Sequence, residues 1–306
     1  MWIIWVIVAL LALCILATVG IFLFTFFYPK KWHTDDFHYP DSPLAEPYKD
    51  EAFELIKQFQ ALPCERVETT SFDGLKLSAR YYKQSEVAPI AICFHGYKST
   101  AIKDMCGGSL HLMEKGFNIL LCDQRAHGES DGRVISFGIN ERQDVKSWCD
   151  FALRRYGPVP FYLVGVSMGA ATVLLAADLE FPKTLRGIMA DCPYASPREI
   201  IKTAAGYMKI PGWTIIFGIL GARVLGGFNL SKISAVDTVS RSKVPVLIIH
   251  GADDDFVPEE MSAEIAKANP DKVTRLAIPK AGHAMSYLVD KKTYIKAMDD
   301  FIEKTL

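Results

Sequence analysis

The sequence has no Cys-x-x-Cys pair, no His-Glu-x-x-His and no Walker-type or dinucleotide-binding glycine loop. Zinc modules, zincin-type metalloproteases and nucleotide-dependent enzymes are therefore not indicated, and neither a metal site nor a cofactor is expected. An excess of either charge is also missing. The 34 Lys and Arg face 35 Asp and Glu, a net charge of −1, which argues against a polyanion-binding surface and against nucleic acid as a partner. Cysteine is sparse: the seven residues form an odd set, several inside apolar runs, which excludes a disulfide scaffold and suits buried thiols in a reducing compartment. Internal repeats and low-complexity tracts are absent beyond the first segment. Half of the 306 residues are apolar, enough for a large core in about two domains, or in one α/β domain of about 250 residues with an appendage.

Charge is missing altogether between Trp2 and Tyr28. At about 1.5 Å per residue such a helix reaches roughly 40 Å, more than the ~30 Å of a bilayer's hydrocarbon layer. A cleaved signal would need a basic start, a shorter apolar run and a small-residue cleavage site, whereas this run ends in Phe26, Phe27 and Tyr28. A buried core helix apolar on all sides would demand a very large core. Residues 1–30 are thus expected to be a transmembrane anchor, with the lipid bilayer contacted through residues 2–28 and Trp2, Trp5 and Trp32 near the interfaces. Lys30 and Lys31 follow the span while no side-chain base precedes it, so the remainder is expected on the cytoplasmic side. Residues 31–60 form a tether and lead-in. Their Pro40, Pro43 and Pro47 among Asp35, Asp36, Asp41 and Asp50 read as a hydrated link to a domain at 61–306.

In that domain Glu65 to Ser71 and Leu75 to Tyr82, joined through Asp73-Gly74, read as a hairpin. Short apolar runs follow at Pro89 to Phe94, Asn118 to Cys122, Phe161 to Val166, Gly187 to Ala190, Val244 to Ile249 and Arg275 to Ile278. Each is too short and continuous for an amphipathic helix and resembles a strand buried on both faces. Helical windows lie between them. Asn140 to Tyr156 sets Val145, Trp148, Cys149, Phe151 and Ala152 on one face, and Ile295, Met298, Phe301 and Ile302 stripe the last helix. The alternation specifies an α/β fold whose mainly parallel sheet is covered by helices on both faces, with a ligand site at the carboxyl ends of the strands.

Phe161 to Val166 runs into Gly165-Val166-Ser167-Met168-Gly169 and then a small-residue helix. On that tight turn Ser167 would be strained, Gly165 and Gly169 would let strand and helix approach, and the Met168 amide would point at an oxyanion. After another strand, Gly96 of His95-Gly96-Tyr97 would turn the backbone and present the Tyr97 amide as a second oxyanion donor. After a third strand stand Asp253, Asp254 and Asp255, and after the last one His283. Each feature alone also fits an ordinary turn, cap or surface loop. Their order, Ser then Asp then His, past the ends of different strands, makes nucleophilic catalysis the better account. Arg125, His127 and Ser130, in the loop after Cys122, read as structural rather than substrate-contacting.

The chain from about Glu65 onward resembles the α/β-hydrolases. The segments Asp123 to Ser130, Asp191 to Tyr194 and Gly282 to Tyr287 further resemble membrane-anchored bacterial members of largely unassigned substrate, and more remotely eukaryotic members that remove acyl groups from proteins. The resemblance implies an eight-stranded sheet and a Ser167, Asp254, His283 triad. Asp254 is the choice because it stands four residues after His250 in a His-Gly-x-x-Asp-x-x-Val-Pro pattern; Asp253 and Asp255 compete with it, and Asp191 more distantly.

Residues 197–230, rich in Ile, Trp, Phe and Leu and broken by Gly and Pro, are expected to cap the strand ends as a small helical lid. Tyr97, Trp213, Ile216 and Met285 are the expected substrate contacts. A second span there is disfavoured because Gly212, Gly218, Gly221 and Arg223 interrupt a short run. The expected activity is hydrolysis of carboxylic esters or thioesters of small-molecule or acylated substrates through an acyl-enzyme. The alternatives are a serine peptidase or amidase, and a catalytically silent membrane-tethered scaffold.

Overall fold

The computed structural model describes residues 1–32, 35–39 and 42–306. The elements run α1 (Trp2–Thr25), α2 (Lys49–Gln60), β1 (Glu65–Thr70), β2 (Lys76–Tyr82), β3 (Ile90–Phe94), α3 (Ala101–Glu114), β4 (Asn118–Cys122), α4 (Glu141–Tyr156) and β5 (Phe161–Val166). They continue with α5 (Met168–Leu175), β6 (Leu185–Asp191), α6 (Pro197–Tyr207), α7 (Ile215–Val224), α8 (Ala235–Ser240) and β7 (Val246–Gly251). The chain closes with α9 (Glu259–Ala268), β8 (Val273–Ile278), α10 (Ser286–Val289) and α11 (Lys291–Thr305).

The eight strands form one mixed sheet in the order β1-β2-β4-β3-β5-β6-β7-β8. β2 pairs antiparallel with β1 and β4, and every pairing from β4 to β8 is parallel. The antiparallel edge is the Asp73-Gly74 hairpin, in which Gly74 takes φ +88°, a value the turn requires and glycine supplies. The central strands β3, β4 and β5 are buried along their whole length, which is why they read as unbroken apolar runs. Alternate residues feed two cores. Ile92, Phe94 and Leu163 pack with Val145, Trp148, Val173 and Val239 on one face. Ala91, Cys93, Tyr162 and Val164 pack with Ile102, Met105, Met298 and Phe301 on the other. In α11 Tyr294 rather than Ile295 completes the buried stripe.

Among the described residues α1 is the one helix long and apolar enough to cross a membrane. Residues 2–16 are exposed, whereas Thr18 and Phe22 in the last turns are buried. Phe22, Phe26 and Tyr28 belong to a third cluster with Phe137, Met168, Ile200, Ala222 and Phe228. The chain after α1 then lies along residues 133–135, through the Tyr28 amide on the Arg133 carbonyl and the Ile135 amide on the Phe26 carbonyl. The described part of the segment expected to be a hydrated tether is likewise built into the body. Phe37 and Tyr39 pack on Phe53, and α2 packs on α3, sealing Ile56 and Phe59. Of the residues that prompted that expectation, Pro40 and Asp41 lie outside the described residues.

Candidate active site

Ser167 occupies the bend between β5 and α5 with φ 54° and ψ −115°, a left-handed value that a residue with a side chain holds only when its surroundings impose it. The surroundings do so. The Ser167 amide donates to the Asp191 carbonyl of the neighbouring strand at 2.8 Å. The two flanking glycines allow strand and helix to close on each other: a Cβ on Gly165 would sit 2.4 Å from the Gly169 carbonyl, and one on Gly169 would sit 2.0 Å from the Phe94 carbonyl oxygen. No side chain fits at either position, and that is the local reason for the Gly-x-Ser-x-Gly spacing.

The loop after β8 brings His283 over this bend. Its Nε2 lies 2.9 Å from Ser167 Oγ and its Nδ1 lies 2.7 Å from Asp254 Oδ2. With Nδ1–H donating to the carboxylate, Nε2 is left to accept from the serine hydroxyl. Asp254 is aimed by its own turn, since its Oδ1 accepts from the amides of Phe256 at 3.0 Å and Val257 at 2.8 Å. Burial acts to raise the Asp254 carboxyl, but hydrogen bonds from His250, His283 and the Val257 amide outweigh it and hold the group well below the usual carboxylate range. It stays ionised, as an imidazolium partner requires. His250 is fully buried, donates to the Val257 carbonyl at 2.9 Å and stands 3.3 Å from Asp254 Oδ2.

The competing acids fall away. Asp253 and Asp255 are exposed beside the buried Asp254. Asp191, at the end of β6, accepts from Ser286 Oγ at 3.3 Å, and burial pushes its carboxyl up to about 6. Cys192, Asp254 and His283 each offer one ligand-type atom within 4.8 Å of the others. Asp254 and His283 are already hydrogen-bonded to each other, and burial holds the Cys192 thiol well above its ordinary value, in the protonated state that binds metal poorly.

The His95-Gly96-Tyr97 loop passes close to Ser167, with the Gly96 Cβ direction 3.4 Å from Ser167 Cβ. Asp104, which sequence reasoning missed, holds it there together with His127 and His95. Asp104 Oδ2 accepts the Gly96 amide at 2.7 Å, His127 Nε2 accepts the Lys98 amide at 3.0 Å, and His95 Nε2 accepts the Gln124 amide at 3.1 Å. Asp104 was legible only as a helix-start acid three residues inside α3. Met168 contributes the first amide of α5, which helix geometry leaves without an intrahelical partner. Arg125 is spent on Asp144 and Asp73, and Ser130 Oγ on the Asp123 carbonyl, so this loop is structural.

Ser167 sits between two cavities. One, of about 300 Å³, is walled mainly by apolar side chains: Ile200, Ile201, Met208, Ile210 and Ile215 of the lid segment, with Phe137, Phe256 and Val257 beneath. The other, of about 420 Å³, is more polar and includes Tyr39, Ser42, Lys103, Asp104, Asp255 and His283. Tyr97 lines both and Met285 lines the second. Trp213 and Ile216 do not line either. They are 68% and 61% exposed on the outer side of the lid, a correction to the sequence reading. For Ile216 the packing of α7 gives the reason: Gly221 turns toward α1, where an added Cβ would lie 3.1 Å from Phe22 Cβ, and the opposite side of the helix faces out; Trp213 lies in the turn before α7. Phe256, unremarked in the sequence, packs edge-on against the His283 ring at 5.2 Å and borders both cavities.

A mixed eight-stranded sheet with a strand-bend serine, a loop histidine and a buried acid at its carboxyl edge is the α/β-hydrolase fold. Residues 85–217 match the family described as serine aminopeptidase, S33. Among similar proteins, the uncharacterised protein YqkD of Bacillus subtilis (strain 168) is 27% identical over 276 residues, covering 86% of this chain and 87% of that one. The lysophosphatidylserine lipase ABHD12 of Danio rerio is 24% identical over 197 residues, 61% of this chain and 49% of that protein. The esterase Pf2001 of Pyrococcus furiosus shares the fold with a TM-score of 0.67 at 23% identity, over 81% of this chain and 93% of its own. Est1E of Butyrivibrio proteoclasticus, solved with ferulic acid, does so at 0.62 and 23%, over 78% and 98%.

Proposed function

We propose that the protein is a membrane-anchored serine hydrolase that cleaves ester or thioester bonds of substrates with an apolar acyl group. The observation that carries this reading is the hydrogen-bonded line from Asp254 through His283 to Ser167 at the floor of an apolar cavity. A serine hydroxyl is a weak nucleophile at neutral pH, so His283 Nε2 takes its proton as Oγ attacks the acyl carbonyl. Asp254 holds the Nδ1–H tautomer and stabilises the imidazolium that results. The negative charge on the former carbonyl oxygen is met by the Tyr97 and Met168 amides, each of the kind whose removal costs roughly 3 to 4 kcal/mol in other hydrolases. His283 then passes its proton to the leaving group. Water repeats the sequence on the acyl-enzyme and frees Ser167. The apolar cavity takes the acyl part and the more polar one the leaving group. α1 is the anchor, and Lys30 and Lys31 after it favour a cytoplasmic site.

A fluorophosphonate probe tests the reading. The wild type is expected to label and Ser167→Ala not to; absence of wild-type labelling would leave the silent scaffold as the better account. The same probe in membrane-permeant and impermeant forms, applied to intact cells and lysate, reports sidedness. The family description as an aminopeptidase favours amides as a second reading. Rates on an ester chain-length series set beside a peptide library separate the two.

A further inference from the structure

The last turns of α1 do more than end the anchor. Ile21, Phe24 and Thr25 line the same apolar cavity as Ser167. The lid is fitted to this stretch: an added Cβ on Gly218 of α7 would touch Ile21 Cγ2 at 3.6 Å, and Gly221 faces the Thr18 carbonyl and Phe22. Two side chains of the site loop hold the end of the helix, Tyr97 Oη donating to the Thr25 carbonyl at 2.7 Å and Lys98 Nζ to the Phe24 carbonyl at 2.9 Å. Phe24 is 60% exposed and Met208 is 49% exposed although both line the cavity, which puts its rim between the end of α1 and the turn after α6. A 24-residue helix is about 36 Å long against ~30 Å of hydrocarbon, so that rim falls at the boundary where the carbonyls of bilayer amphiphiles lie.

We infer that α1 is a wall of the acyl pocket, with Ile21 and Phe24 setting the length of acyl chain the enzyme accepts. This rests on the acyl-hydrolase reading above and assigns a substrate-binding role to residues that composition alone marks as membrane anchor. The chain of a bound substrate lies along the inner side of α1 with its carbonyl at Ser167, so bulk added at position 21 shortens the space and bulk removed lengthens it.

The test uses the full chain in detergent micelles with p-nitrophenyl esters from acetate to laurate. Ile21→Trp is expected to lower kcat/KM on the laurate tenfold or more while the acetate stays within about twofold, and Ile21→Ala to move the optimum to longer chains. Val8→Trp, on the same helix and far from the cavity, is expected to keep the wild-type profile. An Ile21→Trp profile that overlays the wild type overturns the proposal. Should Ile21→Trp lose acetate turnover as well, Ile21→Ala decides: a shifted optimum supports the proposal and an unchanged one overturns it. If the wild type labels with the fluorophosphonate and turns over every chain length equally, the pocket assignment fails while the hydrolase reading stands. If the wild type neither labels nor turns over any ester, both fail together.

Discussion

The two sides of Ser167 are held by different forces. On one side the strand-end loops fix His283, Asp254 and the Gly96 turn through short directional bonds, with Asp254 alone engaging two amides and His283. On the other side the lid and the end of α1 enclose their cavity by apolar contact, with glycines at the seam. Directional bonds tolerate little displacement, whereas an apolar wall tolerates substitutions that preserve its volume. On the proposed function, reactivity and selectivity fall to separable parts of the molecule, and substitutions on the two sides are expected to differ in kind as well as in size.

The largest effect is expected at Asp254. Asp254→Asn preserves shape but favours the wrong imidazole tautomer, and kcat should fall about 10³- to 10⁴-fold with little change in KM. A steady-state assay on a short dissolved ester measures this, and a loss below tenfold would remove the buried acid from the mechanism. A moderate effect, on stability rather than rate, is expected at Asp191. Its carboxyl titrates near 6 in the fold against an ordinary 3.8, so the folded state holds a proton that the unfolded chain has already released between those values. Stability should therefore decline as pH rises from about 4 to 6 and stay reduced above that. Asp191→Asn is expected to remove its share of this decline, leaving that of Asp144, whose carboxyl burial also pushes up to about 6, and to gain on the order of 1–3 kcal/mol at pH 7, with no gain near pH 4. Thermal melts in detergent across that range check it, and a gain independent of pH would contradict it. The smallest effect is expected at Trp213→Ala, whose exposed side chain leaves short-ester turnover within about twofold. A tenfold loss would bring the outer lid into the pocket after all.

The same division explains what could be read from the sequence. The strands and the Ser167 bend are local patterns: β5 is an unbroken apolar run, and Gly165 and Gly169 stand where a Cβ cannot. Choosing Asp254 over its neighbours took a family pattern, because only the turn that binds the Phe256 and Val257 amides shows which of three adjacent carboxylates is turned inward. The lid offered no such cue. Ile215, Ile216, Phe217, Ile219 and Leu220 surround α7 with apolar side chains, so no periodicity distinguishes its inner face, and composition alone places Trp213 and Ile216 there although they face out. Asp104 and Phe256 were invisible for another reason: each acts on a partner that only the tertiary fold brings near.

The two hydrogen bonds from Tyr97 and Lys98 to the final carbonyls of α1 join the loop beside Ser167 to the helix we propose for the bilayer. In the proposed membrane placement, lateral pressure, bilayer thickness and the choice of detergent would act on that helix first. These bonds would carry such restraint toward Ser167, so rates taken in micelles and in vesicles are expected to differ.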